Sequence, residues 1–308
     1  MSKPGAVPPA GIWFPLIVFA LSLTLFLCVR GYARIGSPIT KPLLWDGAWY
    51  QQIVEQGYFT DGNLYESHNV VYAPLYPILC AGVKRLFSTP TFYAMLIVSA
   101  GCALGAMMAL YRLLTRMTSQ SAAMWSLLFL AFGPFSVFLY SGYSEPLFLF
   151  LAVLFFYALI DERWMTAGLI AGIASASRPY GPIMALTLAF AATRSYFLAN
   201  GWKLNLSSRQ LQGAAIGLPL CFTGTAAFSL YLYHRFGDPL LFVHNGISWT
   251  DTGSPSPFLD GLAFAYIPRG IMENFLYFGP FSPSLLGLLL FALGPVLIVW
   301  LWRELPPL

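Results

Sequence analysis

Charge is what this sequence has least of. Only 9% of its 308 residues are Asp, Glu, Lys or Arg, where a soluble globular domain carries about 25%. Sixteen basic and 12 acidic side chains cannot clothe the water-facing surface of a fold this size. An ordinary cytosolic enzyme is excluded, and most of the outer surface is expected to face lipid. The net charge of +4 is spread thinly between apolar runs. With no dense basic patch to follow a phosphate backbone, no nucleic-acid partner is expected. Cysteine is scarce too: Cys28, Cys80, Cys102 and Cys221 lie far apart inside apolar segments, without metal-ligand spacing, and read as small buried hydrophobes. Three histidines, at 68, 234 and 244, are too few for a histidine-rich metal centre. No metal or cofactor is therefore expected, although carboxylates could still hold a divalent cation through oxygen ligands. The chain also lacks a glycine-rich phosphate-binding motif and a visible internal repeat.

What is present is apolar bulk: 58% hydrophobic residues, among them 26 Phe, 17 Tyr and 9 Trp, with 27 Gly and 23 Pro that membrane helices tolerate better than soluble ones. The first run, 12 to 28, is followed by Arg30 without a small-residue cleavage site, so a retained helix is expected and not a signal peptide. Further apolar runs fall near 92–111, 122–140, 145–160, 166–178, 180–198, 211–232 and 284–301, predicting about eight crossings. Within 165–190, Arg178, Pro179 and Pro182 favour two helices meeting at Arg178, which keeps its charge out of hydrocarbon. Pro74 and Pro77 interrupt a marginal run, favouring an interfacial or re-entrant helix.

The expected fold is thus an all-α polytopic membrane protein, one domain over 1–308, with large outer segments at 30–91 and 233–283. An even number of crossings puts both ends on one side. Short connections carrying Arg112, Arg116, Arg163, Arg194, Lys203 and Arg209 make that side cytoplasmic. The site is then extracytoplasmic, in a bacterial inner membrane.

The polar residues that a membrane does not explain are few. Asp46 opens a predicted short helix that stops at Gly57, with Trp49, Tyr50 and Ile53 on its face and Glu55 turned away. Asp46 reads as a helix-capping acid that is also well placed to meet a polar substrate between Trp45 and Trp49. Asp61, Glu66 and His68 follow; His68 could bind phosphate or move a proton, or be a loop residue. Glu145 stands at a helix start, where an acid is favourable without any function. Arg178 could pair with Glu145, hold a phosphate, or reach lipid headgroups. Near the end of the 211–232 run, Gly237, Asp238 and Pro239 read as a turn flanked by His234, Arg235 and His244.

The segments WDGAWYQQIVEQGY, APLYP, SGYSEPLFLF, AGLIAGIASASRPYG and FGDPLLFVH occur in this order over residues 45 to 244. Together they resemble the membrane mannosyltransferases related to GPI mannosyltransferase II, within the GT-C superfamily. Ala73 and Pro74 stand where relatives tend to be more aromatic, and many relatives carry further spans at the C-terminus. The resemblance implies a GT-C-like helical bundle that takes sugar, typically mannose, from a polyprenyl-phosphate donor. By motif it places the family's loop acid at Asp46, its Ser-Glu pair at Ser144 and Glu145, its arginine at Arg178 and its glycine-acid-proline turn at Gly237 to Pro239.

The expected reaction is inverting attack by an acceptor hydroxyl on the sugar's anomeric carbon. Asp46 is the base, with Glu145 or Glu66 assisting. Arg178, and second Arg235, would steady the leaving phosphate, while His68, Trp49, Tyr50, Asp238 and His244 would contact substrate. Expected partners are the donor, membrane lipids, an unidentified hydroxyl acceptor and a protein subunit. The alternatives are a lipid-linked glycan transporter or flippase, which buried charges would also suit, and a non-catalytic subunit of a glycosylation complex.

Overall fold

The computed structural model describes residues 10–35, 46–63, 66, 68–133, 135–178, 181–200 and 208–246. They form helices and connecting turns, with no strand among them. Ten α-helices belong to one compact unit: α1 (Ala10–Ile35), α2 (Asp46–Gln56), α3 (Leu75–Phe87), α4 (Thr91–Met117), α5 (Gln120–Phe132), α6 (Glu145–Ile160), α7 (Trp164–Ser175), α8 (Gly181–Asn200), α9 (Arg209–Leu220) and α10 (Thr223–Phe236). The described residues of 60–71 and 240–246 fall in a second unit, with a 3₁₀ turn at Asn69–Val71 and the one-turn helix α11 (Leu241–His244).

In the first unit α4 is the central post, with α1, α3, α5 and α6 against it. Val18 of α1, Met107 and Tyr111 of α4 and Leu127 of α5 bury together. The outer surface is apolar as well: Trp13, Leu86, Phe129 and Leu186 are all more than half exposed. Helix α6 is apolar around its whole circumference, burying Leu147, Leu151 and Phe155 while Phe156 faces outward, which suits a lipid-lined bundle.

The expectation of a GT-C-like bundle of about eight transmembrane helices is not upheld. Among the described residues two helical stretches, Thr91–Met117 and Arg209–Phe236, are long and apolar enough to cross a membrane. The apolar helices α5, α6 and α7 have 13, 16 and 12 residues, so at 1.5 Å per residue they reach about 18 to 24 Å, short of a hydrocarbon core of about 30 Å. Apolar composition continues past the point where the helix stops. The 122–140 run contains a helix end at Gly133 and a separate 3₁₀ turn at Ser136–Leu139. The 284–301 run lies outside the described residues. With the count gone, the argument that both ends share one side loses its premise. In the 30–91 region, where interfacial or re-entrant helices were expected, the described elements are α2, the turn at Asn69–Val71 and α3.

Two local expectations hold. Helix α2 begins at Asp46 and ends before Gly57, whose φ of +83° is a left-handed conformation that glycine adopts without strain. The chain also breaks between α7 and α8 around Arg178. Backbone contact fixes that break. The Leu75 amide at the start of α3 donates to the Ala176 carbonyl at 2.8 Å, tying the end of α7 to the base of α3.

Helix α7 meets α9 through glycine. Gly168 and Gly172 face Gly217 and Leu220, and a Cβ added at Gly168 would run into the Gly217 carbonyl oxygen. Gly213 lies under the Trp164 ring, where a Cβ would come within 2.7 Å. Each helix thus carries a G-x-x-x-G spacing, 168–172 and 213–217, that lets backbones approach closely where there is no hydrophobic drive to pack helices in lipid.

Candidate active site

The first turn of α2 presents Asp46, whose negative charge suits the positive end of a helix. Its Oδ1 accepts a hydrogen bond from the Tyr72 hydroxyl at 3.0 Å. The Tyr143 hydroxyl accepts from the Asp46 and Gly47 backbone amides, meeting N–H groups that a helix start leaves unsatisfied. One turn along, the buried Tyr50 donates to Ser144 Oγ at 2.8 Å. Ser144 immediately precedes α6, whose first residue, Glu145, forms an ion pair with Arg178: Oε1 to Nη1, 2.7 Å. The other carboxylate oxygen, Oε2, is shielded from solvent without a hydrogen-bond partner among the described residues, so it retains full acceptor capacity.

The two carboxylates and the arginine meet at one phenol. Tyr50 feels Glu145, Arg178 and Asp46, although burial is the main force pushing its phenol up. Tyr143 is pushed up to about 12 by burial and then by Asp46 and Glu145. Burial, then the Asp46 carboxylate, likewise raises Tyr72. All three phenols keep their protons at neutral pH, so the Tyr72 hydroxyl is a fixed donor to Asp46. Asp46, Trp49, Tyr50, Glu145 and Arg178, all candidates on sequence grounds, lie in one constellation.

The tyrosines behind them were missed. Tyr72 and Tyr76 set their rings edge-on to Tyr50 at 5.0 and 4.9 Å, and Trp49 stacks on Tyr72 at 6.3 Å. Tyr76, fully buried, hydrogen-bonds Met95 O at 3.1 Å and Ser99 Oγ at 2.8 Å, and Ser99 donates to the Tyr143 carbonyl at 3.0 Å. The available signal was their position inside NVVYAPLYP and SGYSE, beside the charged residues that drew attention.

An apolar groove of about 610 Å³ shares elements with this constellation. Ile53 and Val54 of α2, Pro74 and Ile78 at α3, Ala176 beyond α7, and Phe228 and Tyr231 of α10 line it, with Arg85 further along α3.

Of the other expected site residues, Arg235 and Asp238 belong to the first unit. Arg235 is exposed in the last turn of α10 and makes no hydrogen bond or ion pair among the described residues. Gly237 closes that helix with φ +82° and an amide bond to Tyr233 O at 2.8 Å, so Asp238 follows a helix-terminating turn. Glu66, His68 and His244 belong to the second unit. There the buried His68 places Nε2 3.0 Å from Asp61 Oδ1 and Nδ1 3.1 Å from Asn245 Nδ2. Asn245 is oriented by its other bonds, accepting from the His68 amide at 3.2 Å and donating to Glu66 O at 3.1 Å. Its amide therefore donates to Nδ1, and the imidazole proton sits on Nε2, towards Asp61. Asp61, Glu66 and His68 could bring ligand atoms within 4.8 Å of one another. A cation on Nε2 would need the proton moved to Nδ1, against the Asn245 amide, so the arrangement suits a hydrogen-bonded histidine-aspartate pair better than a metal centre.

The family model for dolichyl-phosphate-mannose-protein mannosyltransferases matches residues 71–225. The chain belongs to this family. A GT-C mannosyltransferase-like domain therefore spans Tyr72, Tyr143, Glu145 and Arg178, while Asp46 precedes the matched stretch. Membership carries a glycosyltransferase-type role in general terms, and the two long apolar stretches are consistent with membrane association. No curated protein and no solved structure matches the chain.

Proposed function

We propose that the protein is an inverting glycosyltransferase that moves a sugar, mannose in the first instance, from a polyprenyl-phosphate donor to a hydroxyl of a lipid-linked or other extracytoplasmic acceptor. The observation that carries this reading is the convergence of Asp46, Glu145 and Arg178 around the Tyr50 hydroxyl. A transporter or a non-catalytic subunit would not require a carboxylate steadied by a phenol beside a second acid paired with arginine.

In this reading the acceptor oxygen attacks the anomeric carbon as the carbon–oxygen bond to phosphate breaks. The hydroxyl proton passes to Asp46, and polyprenyl phosphate leaves. A hydroxyl is a weak nucleophile, and a positioned base is worth about 10² to 10⁴ in rate. Tyr72 holds the Asp46 carboxylate in one orientation, leaving Oδ2 for the acceptor. Arg178 offsets negative charge on the departing phosphate, and its bond to Glu145 fixes where that charge is held. Glu145 Oε2 is placed to accept from a sugar or acceptor hydroxyl. Trp49 and Tyr50 supply the aromatic surface, and the apolar groove beside them suits an isoprenoid chain.

Membranes carrying wild type or Asp46→Asn, matched for amount of inserted protein, should be given radiolabelled polyprenyl-phosphate mannose and native acceptors. Transfer is expected to fall about 10² to 10⁴-fold in the variant, because Asn keeps the Tyr72 bond and loses the base. Undiminished transfer removes Asp46 from this role.

A further inference from the structure

The α6–α7 turn lies at the far end of α6 from Glu145, about 24 Å along the helix. Local bonds hold its backbone: Glu162 adopts φ +53°, the Arg163 amide bonds Ala158 O at 2.8 Å, and the Glu162 carboxylate accepts from Ser195 of α8. Against this turn and the start of α9 is a cavity of about 570 Å³. Of the four charged residues lining it, the two acids are engaged, Asp161 with Arg116 at 2.6 Å and Glu162 with Ser195. The two cations are not. The guanidinium groups of Arg163 and Arg209 are exposed and make no hydrogen bond or ion pair among the described residues.

The rim of the same cavity is apolar. Met165 of α7 and Ile216 of α9 are each about half exposed, and Leu169, one turn beyond Met165, continues that surface. Arg209 is the first residue of the 28-residue stretch Arg209–Phe236 that is long and apolar enough to cross a membrane. A basic residue at the end of such a stretch stands at headgroup depth. Two uncommitted guanidinium groups at headgroup depth, opening onto an apolar helix face, match an anionic head joined to a hydrocarbon chain.

We infer that this cavity binds an anionic membrane phospholipid, with Arg163 and Arg209 on the headgroup phosphate and an acyl chain along Met165, Leu169 and Ile216. The site is separate from Asp46 and Arg178 and does not depend on the transfer chemistry proposed above. Lipid over free phosphate is favoured by the apolar rim, which an inorganic ion would leave unused.

The test takes the full chain, delipidated in detergent, and compares its retention of phosphatidylglycerol and of phosphatidylcholine with the same acyl chains by native mass spectrometry. Wild type is expected to retain phosphatidylglycerol about tenfold better. The double variant Arg163→Gln/Arg209→Gln should lose that preference while Lys84→Gln keeps it, helicity by circular dichroism being unchanged in both. Equal retention of the two lipids by wild type overturns the inference whether or not the double variant folds, as does a folded double variant with wild-type preference. Displacement of phosphatidylglycerol by millimolar inorganic phosphate would show a free-anion site instead.

Discussion

Tyr72 illustrates how a residue without charge governs one that has it. Its hydroxyl gives Asp46 a fixed donor at 3.0 Å, and burial keeps that hydroxyl protonated. A hydrogen bond to a charged group is worth about 1.5 to 3 kcal/mol. Tyr72→Phe is therefore expected to lower kcat at least about tenfold while KM for the donor changes little, because the ring and its stacking with Trp49 remain. Steady-state transfer assays separate the two parameters, and a rise in KM with kcat unchanged would instead make Tyr72 a substrate-binding residue. Asp46, Glu145 and Arg178 were legible in the sequence because a charge within an apolar chain demands a reason. Tyr50 was named beside Asp46, whereas Tyr72, Tyr76 and Tyr143 are three of 17 tyrosines. Only the folded chain, which joins Tyr72 to Asp46 and Tyr76 through Ser99 to Tyr143, separates them from the others.

At the scale of elements, the glycine-lined meeting of α7 and α9 sets where Arg178 stands. Gly168 abuts the Gly217 carbonyl, and Gly172 abuts Leu220 O and the Thr223 hydroxyl. A side chain there must push two backbones apart. Gly168→Leu is expected to destabilise the protein by about 1 to 3 kcal/mol or more and to lower transfer with it, as α7 carries the Arg178 turn away from Glu145. Even the smallest change, Gly168→Ala, is expected to destabilise, since its Cβ already meets the Gly217 oxygen. Thermal unfolding in detergent measures the first effect, and a melting temperature equal to wild type would show that the helices are not in backbone contact. The short helix from Asp46 to Gln56 was legible because its start and stop are local signals, an acid in the first turn and Gly57 with positive φ. The pairing of 168–172 with 213–217 was not, since either spacing alone is common in apolar segments.

For the whole molecule, the outward-facing Trp13, Leu86, Phe129 and Leu186 and the two long apolar stretches make one expectation. Expressed protein should stay in the membrane pellet after an alkaline carbonate wash and leave it only with detergent, followed by immunoblotting of the fractions. Release by carbonate would mean that Thr91–Met117 and Arg209–Phe236 do not cross the bilayer. The number of crossings was misread from sequence for a physical reason. Hydropathy sums side-chain transfer and does not register where the helical hydrogen-bond ladder stops, as at Gly133.

By itself the sequence determined the helical, lipid-compatible character of the chain, the punctuation of its short helices and the identity of the charged residues worth attention. These follow from composition and from interactions spanning a few residues. Tertiary structure alone decided that Asp46, Glu145 and Arg178 act on one phenol, that Tyr72 and Tyr143 hold Asp46 in place, and that α7 and α9 touch backbone to backbone. Each of these joins segments dozens of residues apart, and what brings them together is packing, which no local pattern encodes.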